Sequence, residues 1–304
     1  MGKTKKRLLL GNEAIARGLI ENGCAIATSY PGTPASEILA AVAFFQNQES
    51  LSMHTQWAVN EKVAFELAYA GCQTGLRCAV SMKQVGLNVA SDPLMSAAYL
   101  GTKGGFVLIS ADDPGPHSSQ TEQDSRLMAM FAKIPVLDPD SPRQAKEMMG
   151  MAYALSEAHQ IPVMVRPTTR VCHSRQDISL GAIPKINREV KFEKNPMRWA
   201  ATPKFRLQLH GELEEKLAAI AKYRPTAPKK RNRTGKSTRA IIASGVAAAH
   251  TKDILKELKL WSKVPFYQVM QPFPLHSKFI DLMIETYEDI LVIEETMGVI
   301  EMQL

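Results

Sequence analysis

The 304-residue sequence predicts an α/β protein built on a mostly parallel sheet. Three observations predict it. Short apolar runs alternate with stretches of helical periodicity, and Gly and Pro gather at the junctions between them. The chain is 45% hydrophobic and 22% charged, enough to bury a sizeable core in about two domains. No apolar run approaches the ~20 residues that cross a bilayer, so no membrane partner is expected. Lys3, Lys5, Lys6 and Arg7 precede only Leu8 to Leu10 as an apolar segment, too short for a signal peptide, and the cytoplasm is the expected location. Cys24, Cys72, Cys78 and Cys172 show no CxxC spacing; they read as buried thiols, with no metal site expected.

Taken in order, Asn12 to Asn22 reads as a helix, with Ala14, Ile15, Leu19 and Ile20 at helical spacing and Gly23 at the C-terminal cap. Cys24 to Ser29 reads as a strand. It runs into the turn Tyr30-Pro31-Gly32-Thr33-Pro34, where Pro34 suits an early helical position and Glu37 the positive end of the next helix. A helix from Asn60 to Gly71, a strand from Arg77 to Met82, a helix opening after Gln84-Val85-Gly86 and a strand from Phe106 to Ala111 follow. The polar loop Asp112 to Gln120 comes next. Helix Gln123–Ala132, strand Val136–Asp138, helix Arg143–Ala158 and strand Val163–Pro167 complete a first unit. After a weakly patterned segment with one amphipathic helix, Glu212 to Tyr223, three more strands are predicted at Ala240–Ser244, Pro265–Met270 and Ile290–Glu294. Helices Ala247–Leu260 and Ser277–Thr286 separate them. A layer that thin leaves edges uncovered.

The net charge of +7 has a local origin. Arg224 to Arg239 holds seven basic residues and no acid, and outside it 30 bases balance 30 acids. With no aromatic residue interleaved for base stacking, the stretch reads as a solvated linker, and no nucleic-acid partner is expected.

Among the charged groups, Glu61 opens a helix whose apolar side carries Ala64, Phe65 and Ala68. A carboxylate there is either a favourable charge at a helix N-terminus or a partly buried group that needs a hydrogen-bonding partner. Thr33 before Pro34 is either a helix N-cap or a hydroxyl offered to a ligand. Gln84 to Asn88 is an ordinary strand-to-helix turn or the lining of a pocket. His117 is the one imidazole in its loop, a proton donor or anion binder near neutrality or a surface histidine without a role. Met128, Met130, Met148, Met149 and Met151 read as adaptable core packing, and a GxGxxG dinucleotide site fails at Gly11-Asn12-Glu13-Ala14.

Several motifs in order carry a resemblance: Gly11-Asn12-Glu13-Ala14, Tyr30-Pro31-Gly32-Thr33-Pro34, Asn60-Glu61-Lys62-Val63-Ala64, Met82 to Asn88 and Ser110 to Gln120. Together they resemble the alpha subunit of indolepyruvate ferredoxin oxidoreductase, a thiamine diphosphate-dependent family. The resemblance is dense from Leu8 to about His173, thin afterwards, and visible again from Arg239 to Glu295.

The resemblance implies a pyrimidine-binding thiamine diphosphate domain over residues 1–180. It implies an extension and basic linker over 181–238, and an incomplete transketolase C-terminal-like α/β domain over 239–304. It implies that Glu61 is the glutamate that hydrogen-bonds N1′ of the aminopyrimidine, and that Thr33 lies by the substrate's carboxylate and carbonyl. His117 and Ser118 are implied at the substrate, and Pro31, Gly32, Gln84, Gly86 and Asn88 around the cofactor. The implied reaction is oxidative decarboxylation of aryl 2-oxoacids to acyl-CoA, with ferredoxin as electron acceptor. The implied partners are a beta subunit and a polypeptide bearing the diphosphate domain, in an oligomer.

Members of the family continue with a Gly-Asp-Gly-type magnesium motif and repeated CxxCxxCxxxCP ligands, neither of which occurs in these residues. The expectation is that Mg²⁺ is bound by a region absent from this chain and that the iron-sulfur clusters belong to the complete enzyme. The isolated chain, as a truncated product or split subunit, is then expected to lack turnover. The competing expectation is a non-catalytic assembly or ligand-sensing module that keeps the fold.

Overall fold

A computed structural model describes residues 6–185, 188–200 and 202–304, so Lys3 and Lys5 of the basic N-terminal run lie outside it. Its strands in the first part of the chain are β1 Lys6–Leu10, β2 Ile26–Ser29, β3 His54–Trp57, β4 Cys78–Lys83, β5 Phe106–Ala111 and β6 Val136–Leu137. Further on come β7 Val163–Val165, β8 Arg175–Ser179, β9 Lys229–Lys230, β10 Arg239–Ser244, β11 Phe266–Val269 and β12 Asp289–Ile293.

The larger sheet has six strands in the order β3-β2-β4-β5-β7-β6, and every pairing in it is parallel. Strands β4 and β5 are buried along their whole length, which is why they read as mostly apolar runs without polar alternation. The chain passes from β2 outward to β3 and returns to the opposite side of β2 as β4. That reversal is a topological switch point at the carboxyl ends of β2 and β4, where an open α/β sheet usually has its ligand crevice.

Local signals explain most of the helices. Gly11–Glu21 buries Ala14, Ile15, Leu19 and Ile20, and Gly23 at φ 69° follows it. Glu61–Cys72 is capped by Asn60, whose Oδ1 accepts from the Val63 N–H at 2.9 Å. Pro142–His159 starts with proline after the capping Ser141. All four cysteines are free and buried; burial pushes the Cys24 thiol up to about 11 and that of Cys72 up to about 12. Met148 and Met149 are core residues.

Several expectations are corrected. The helix after the first turn runs Ser36–Gln48, so Pro34 precedes it by two residues, in a cis peptide bond with Thr33. The helix after β4 is Gln84–Val89, so Gln84, Val85 and Gly86 are its first turn and not a loop before it. The edge strand β3 carries the polar sequence His-Thr-Gln-Trp, which has no apolar run to reveal it; pairing with β2 makes it a strand.

The basic stretch is not a solvated linker throughout. Lys229–Lys230 pairs antiparallel with β11, giving the second sheet four strands in the order β12-β10-β11-β9. Arg231 Nε donates to Gln268 Oε1 at 2.6 Å, and the buried Asn232 donates to the carbonyls of Trp261 and Val264. Its lysines read as solvated because they sit on an edge strand, where charge is the usual guard against further pairing. Nor does helix Arg206–Ile220 stand in an extension of its own, because Leu213 and Ile220 join the core of the first unit.

The second sheet keeps one open edge, where β12 pairs only with β10 and Leu291 is exposed, but one end of it is covered. Its carboxyl edge meets the carboxyl edge of the first: Asp138 N–H donates to the Met270 carbonyl and Val136 N–H to that of Phe273. Gln268 Nε2 donates to Asp140 Oδ2 at 2.7 Å, and Ser244 Oγ to Asp138 Oδ2 at 3.1 Å. Among the described residues, no helix is long and apolar enough to cross a membrane.

Candidate functional site

The loops at the crevice bring several of the singled-out residues together. Glu61, half-buried at the first position of its helix, leans against Gly86 so closely that a Cβ added to Gly86 would lie 2.3 Å from Glu61 Oε1. No other side chain fits at position 86 with Glu61 as it stands. Among the described residues the Glu61 carboxylate accepts no hydrogen bond, although it faces the cleft wall formed by the turn after β4.

Thr33 is exposed, and the helix that follows uses Ala35 as its N-cap with no side-chain bond, so Thr33 is not a capping residue. The turn holds itself: Gly32 N–H donates to Ser36 Oγ at 2.8 Å, and Ala35 N–H to the Gly32 carbonyl at 2.7 Å. From beneath, the buried Asn12 donates to the Pro34 carbonyl at 2.7 Å and to Glu37 Oε2 at 2.9 Å, which gives the Gly11-Asn12-Glu13-Ala14 motif its structural use. Pro31 lies exposed on the rim.

The polar loop bridges both turns through Ser118 and Ser119. Ser118 Oγ lies 3.4 Å from the Thr33 carbonyl, the Ser118 carbonyl accepts from Lys83 Nζ at 2.8 Å, and Ser119 Oγ accepts from Gln84 Nε2 at 2.9 Å. Asp113 fixes this bridge. It is fully buried and accepts from Ser118 N–H at 2.8 Å, Ser119 Oγ at 2.8 Å and Thr169 Oγ1 at 2.7 Å. Burial alone pushes its carboxyl up, but these donors prevail and hold it at about 2.

Not every singled-out residue joins this group. His117 is exposed and lines a cleft of about 620 Å³, together with Asp140, Thr169, Arg170, His173, Val246 and His250. Ser118 does not line that cleft, although Thr169, which donates to Asp113 beneath the bridge, does. Asn88 is exposed beside Gln123 and Phe131, in a cavity of about 310 Å³ that Gln84 and Leu87 also line. Lys83, Asp113 and Thr169 were not singled out by sequence. Lys83 and Asp113 lie inside quoted motifs, yet nothing local says that either is buried.

Beneath the loop lies a buried ionic cluster. Arg166 Nε donates to Asp112 Oδ2 at 2.7 Å with both side chains fully buried, and its Nη1 lies 3.8 Å from Asp138 Oδ2. Burial disfavours the Arg166 charge, but the carboxylates of Asp112, Asp138 and Asp124 more than reverse that effect and raise its pKa. Asp112 also takes both the N–H and the hydroxyl of Ser125. At the other end of the loop, Arg126 pairs with Asp124 and reaches into the second unit, to Glu294 Oε2 at 2.7 Å and the carbonyls of Glu295 and Met297. Both roots of the loop are therefore pinned by charge.

Burial pushes the Asp138 carboxyl up to about 6, from an ordinary 3.8. An acid whose folded pKa is raised contributes stability while protonated and loses it as pH rises through that value. The stability difference between Asp138→Asn and the parent chain is therefore expected to grow in the variant's favour from about pH 4 to pH 6. Urea titrations across that window check it, and a pH-independent difference counts against a titrating Asp138.

A family model described as pyruvate flavodoxin/ferredoxin oxidoreductase, thiamine diphosphate-binding, matches residues 17–243, which contain Thr33, Glu61, Lys83, Gly86 and Ser118. The chain belongs to this family. Among its curated relatives in that family, the indolepyruvate oxidoreductase subunit IorA of Archaeoglobus fulgidus is 38% identical over 303 residues, covering 99% of this chain and 48% of the relative. The subunit of the same name from Thermococcus kodakarensis is 39% identical over 311 residues, covering 98% and 46%. The chain spans about half the length of these relatives. A solved structure of 2-oxoglutarate:ferredoxin oxidoreductase from Magnetococcus marinus, with 2-oxoglutarate, coenzyme A and succinyl-CoA bound, superposes with a TM-score of 0.76 at 17% identity. It covers 94% of this chain and 57% of its own, and at that identity it shares the fold. Among the described residues of this family member, no cluster of three or more His, Cys, Asp or Glu side chains is arranged to hold a metal.

Proposed function

We propose that this chain supplies the aminopyrimidine half of a thiamine diphosphate site in an oxidoreductase that oxidatively decarboxylates aryl 2-oxoacids such as indolepyruvate. The observation that carries the reading is the Glu61 carboxylate, without a donor among the described residues and seated against Gly86 at the switch point of a parallel sheet. A planar heterocycle with a ring nitrogen needs such a group, an acceptor able to share a proton, at the edge of a half-dry crevice. What supports the aryl substrate is the chain's relatives, which are indolepyruvate oxidoreductase subunits.

When bound, thiamine diphosphate supplies the carbanion chemistry that decarboxylation of a 2-oxoacid requires. The chain's own residues prepare the place. Glu61 holds a proton toward the pyrimidine ring nitrogen, and Gly86 keeps the wall flat there. The Thr33 hydroxyl, unused by the helix behind it, is free to donate to the substrate carbonyl. Asp113 and Lys83 hold the Ser118–Ser119 bridge over the crevice and limit the access of water.

On this reading, Mg²⁺ and the diphosphate are held by residues beyond these 304, on a beta subunit or another polypeptide. The iron-sulfur clusters, ferredoxin and coenzyme A likewise meet the complete assembly, so the 304 residues alone are expected to show no turnover. Gly86→Ala tests the proposal. The added methyl must displace Glu61, so thiamine diphosphate affinity in the assembled enzyme is expected to fall about tenfold or more while the fold persists. Calorimetric titration with thiamine diphosphate and Mg²⁺ measures it. Unchanged affinity in a folded variant removes Glu61 from the cofactor.

A further inference from the structure

Lys83 ends β4 and is nine-tenths buried, at 9% exposure. Its stem lies along the Gly32 backbone, where an added Cβ would come within 3.2 Å of the Lys83 Cβ. Its ammonium donates to the carbonyl of Ser118, the residue whose hydroxyl approaches the Thr33 carbonyl. The charge therefore sits between the first turn and the loop, at the mouth of the crevice.

Two fully buried arginines of the described residues are neutralised by the fold: Arg126 by Asp124 and Glu294, Arg166 by Asp112. Lys83 is not. Among the described residues no carboxylate lies within ion-pair distance of its Nζ, and its one bond is to a neutral carbonyl. A cation withdrawn from water without a counter-charge is costly, and an anion brought to it recovers much of that cost. His117, the cationic candidate of the loop, faces the other cleft, and residues 112–123 contain no lysine or arginine.

We propose that Lys83 receives the carboxylate of the substrate, so that the crevice selects 2-oxoacids over neutral ketones. The inference rests on the oxoacid reading above and adds the residue that makes it selective for an anion. Lys83 touches the unreacting end of the ligand and fixes its orientation beneath the Ser118 bridge.

The test uses the assembled enzyme loaded with thiamine diphosphate and two unreactive probes, 3-phenylpropionate and its amide, titrated calorimetrically. The parent enzyme is expected to bind the acid at least about tenfold more tightly than the amide, the usual weight of a charge-assisted hydrogen bond. In Lys83→Gln, which keeps a donor for the Ser118 carbonyl but loses the charge, that preference is expected to vanish through weaker acid binding. Amide and cofactor affinities stay as they were. Lys83→Arg is expected to keep the preference. If Lys83→Met fails to fold, the glutamine variant still decides. A Lys83→Gln enzyme that still prefers the acid overturns the proposal and leaves the oxoacid reading intact. A parent enzyme that binds cofactor but shows no preference for the acid overturns both.

Discussion

Glu61→Gln is expected to lower turnover of the assembled enzyme about 100-fold or more, the usual scale for removing a positioned proton-transfer group. Stability should hardly change. The carboxylate makes no hydrogen bond to the described residues, and its one structural contribution is a negative charge in the first turn of helix Glu61–Cys72, about 0.3–1 kcal/mol. Glutamine keeps the shape against Gly86 and a hydrogen-bonding end, and loses the proton. The expected signature is therefore a large loss of rate with a melting temperature close to that of the parent. Steady-state kinetics and a thermal melt on one preparation measure both, and normal turnover in a folded variant sinks the assignment.

Arg166→Met has the opposite signature. Its side chain is fully buried among Asp112, Asp138 and Asp124, and removing it leaves Asp112 without its cation. Breaking a buried pair from one side typically costs about 3–5 kcal/mol, a large part of a domain's stability. The double variant Arg166→Met/Asp112→Asn is expected to lose less than the two single variants added together, because each single change strands the other's charge. Denaturant titrations of the four proteins give the coupling. Additive losses would mean that the pair does not act as a unit. Because Asp112 roots the Ser118 loop and Arg126 joins its far end to the second sheet, damage here is expected to reach the crevice through the loop.

Much of the crevice was legible in the residues. The strand Phe106–Ala111 is predicted to the residue, because a fully buried parallel strand writes itself as a largely apolar run, here broken only by Ser110, between polar signals. The helix at Glu61 is predicted from Asn60 to Gly71, and the structure makes Asn60 its cap rather than its first residue. Motif resemblance drew attention to Thr33, Glu61, Gly86 and Ser118, which the fold gathers at one edge. It gave the same attention to His117 and Asn88, which face neighbouring spaces, because adjacency along a loop does not say which way each side chain turns.

The sequence by itself determined the alternation of strands and helices, the turn chemistry at their junctions and the family. These are set by local periodicity and by short runs of residues whose spacing is their meaning. Only the tertiary structure decided that Lys229–Lys230 is a strand, that Lys83 is buried without a counter-charge, and that Arg126 bonds to Glu294 across 168 positions. Burial and pairing are properties of the distant segments that close over a residue, and no local pattern records which segment will arrive.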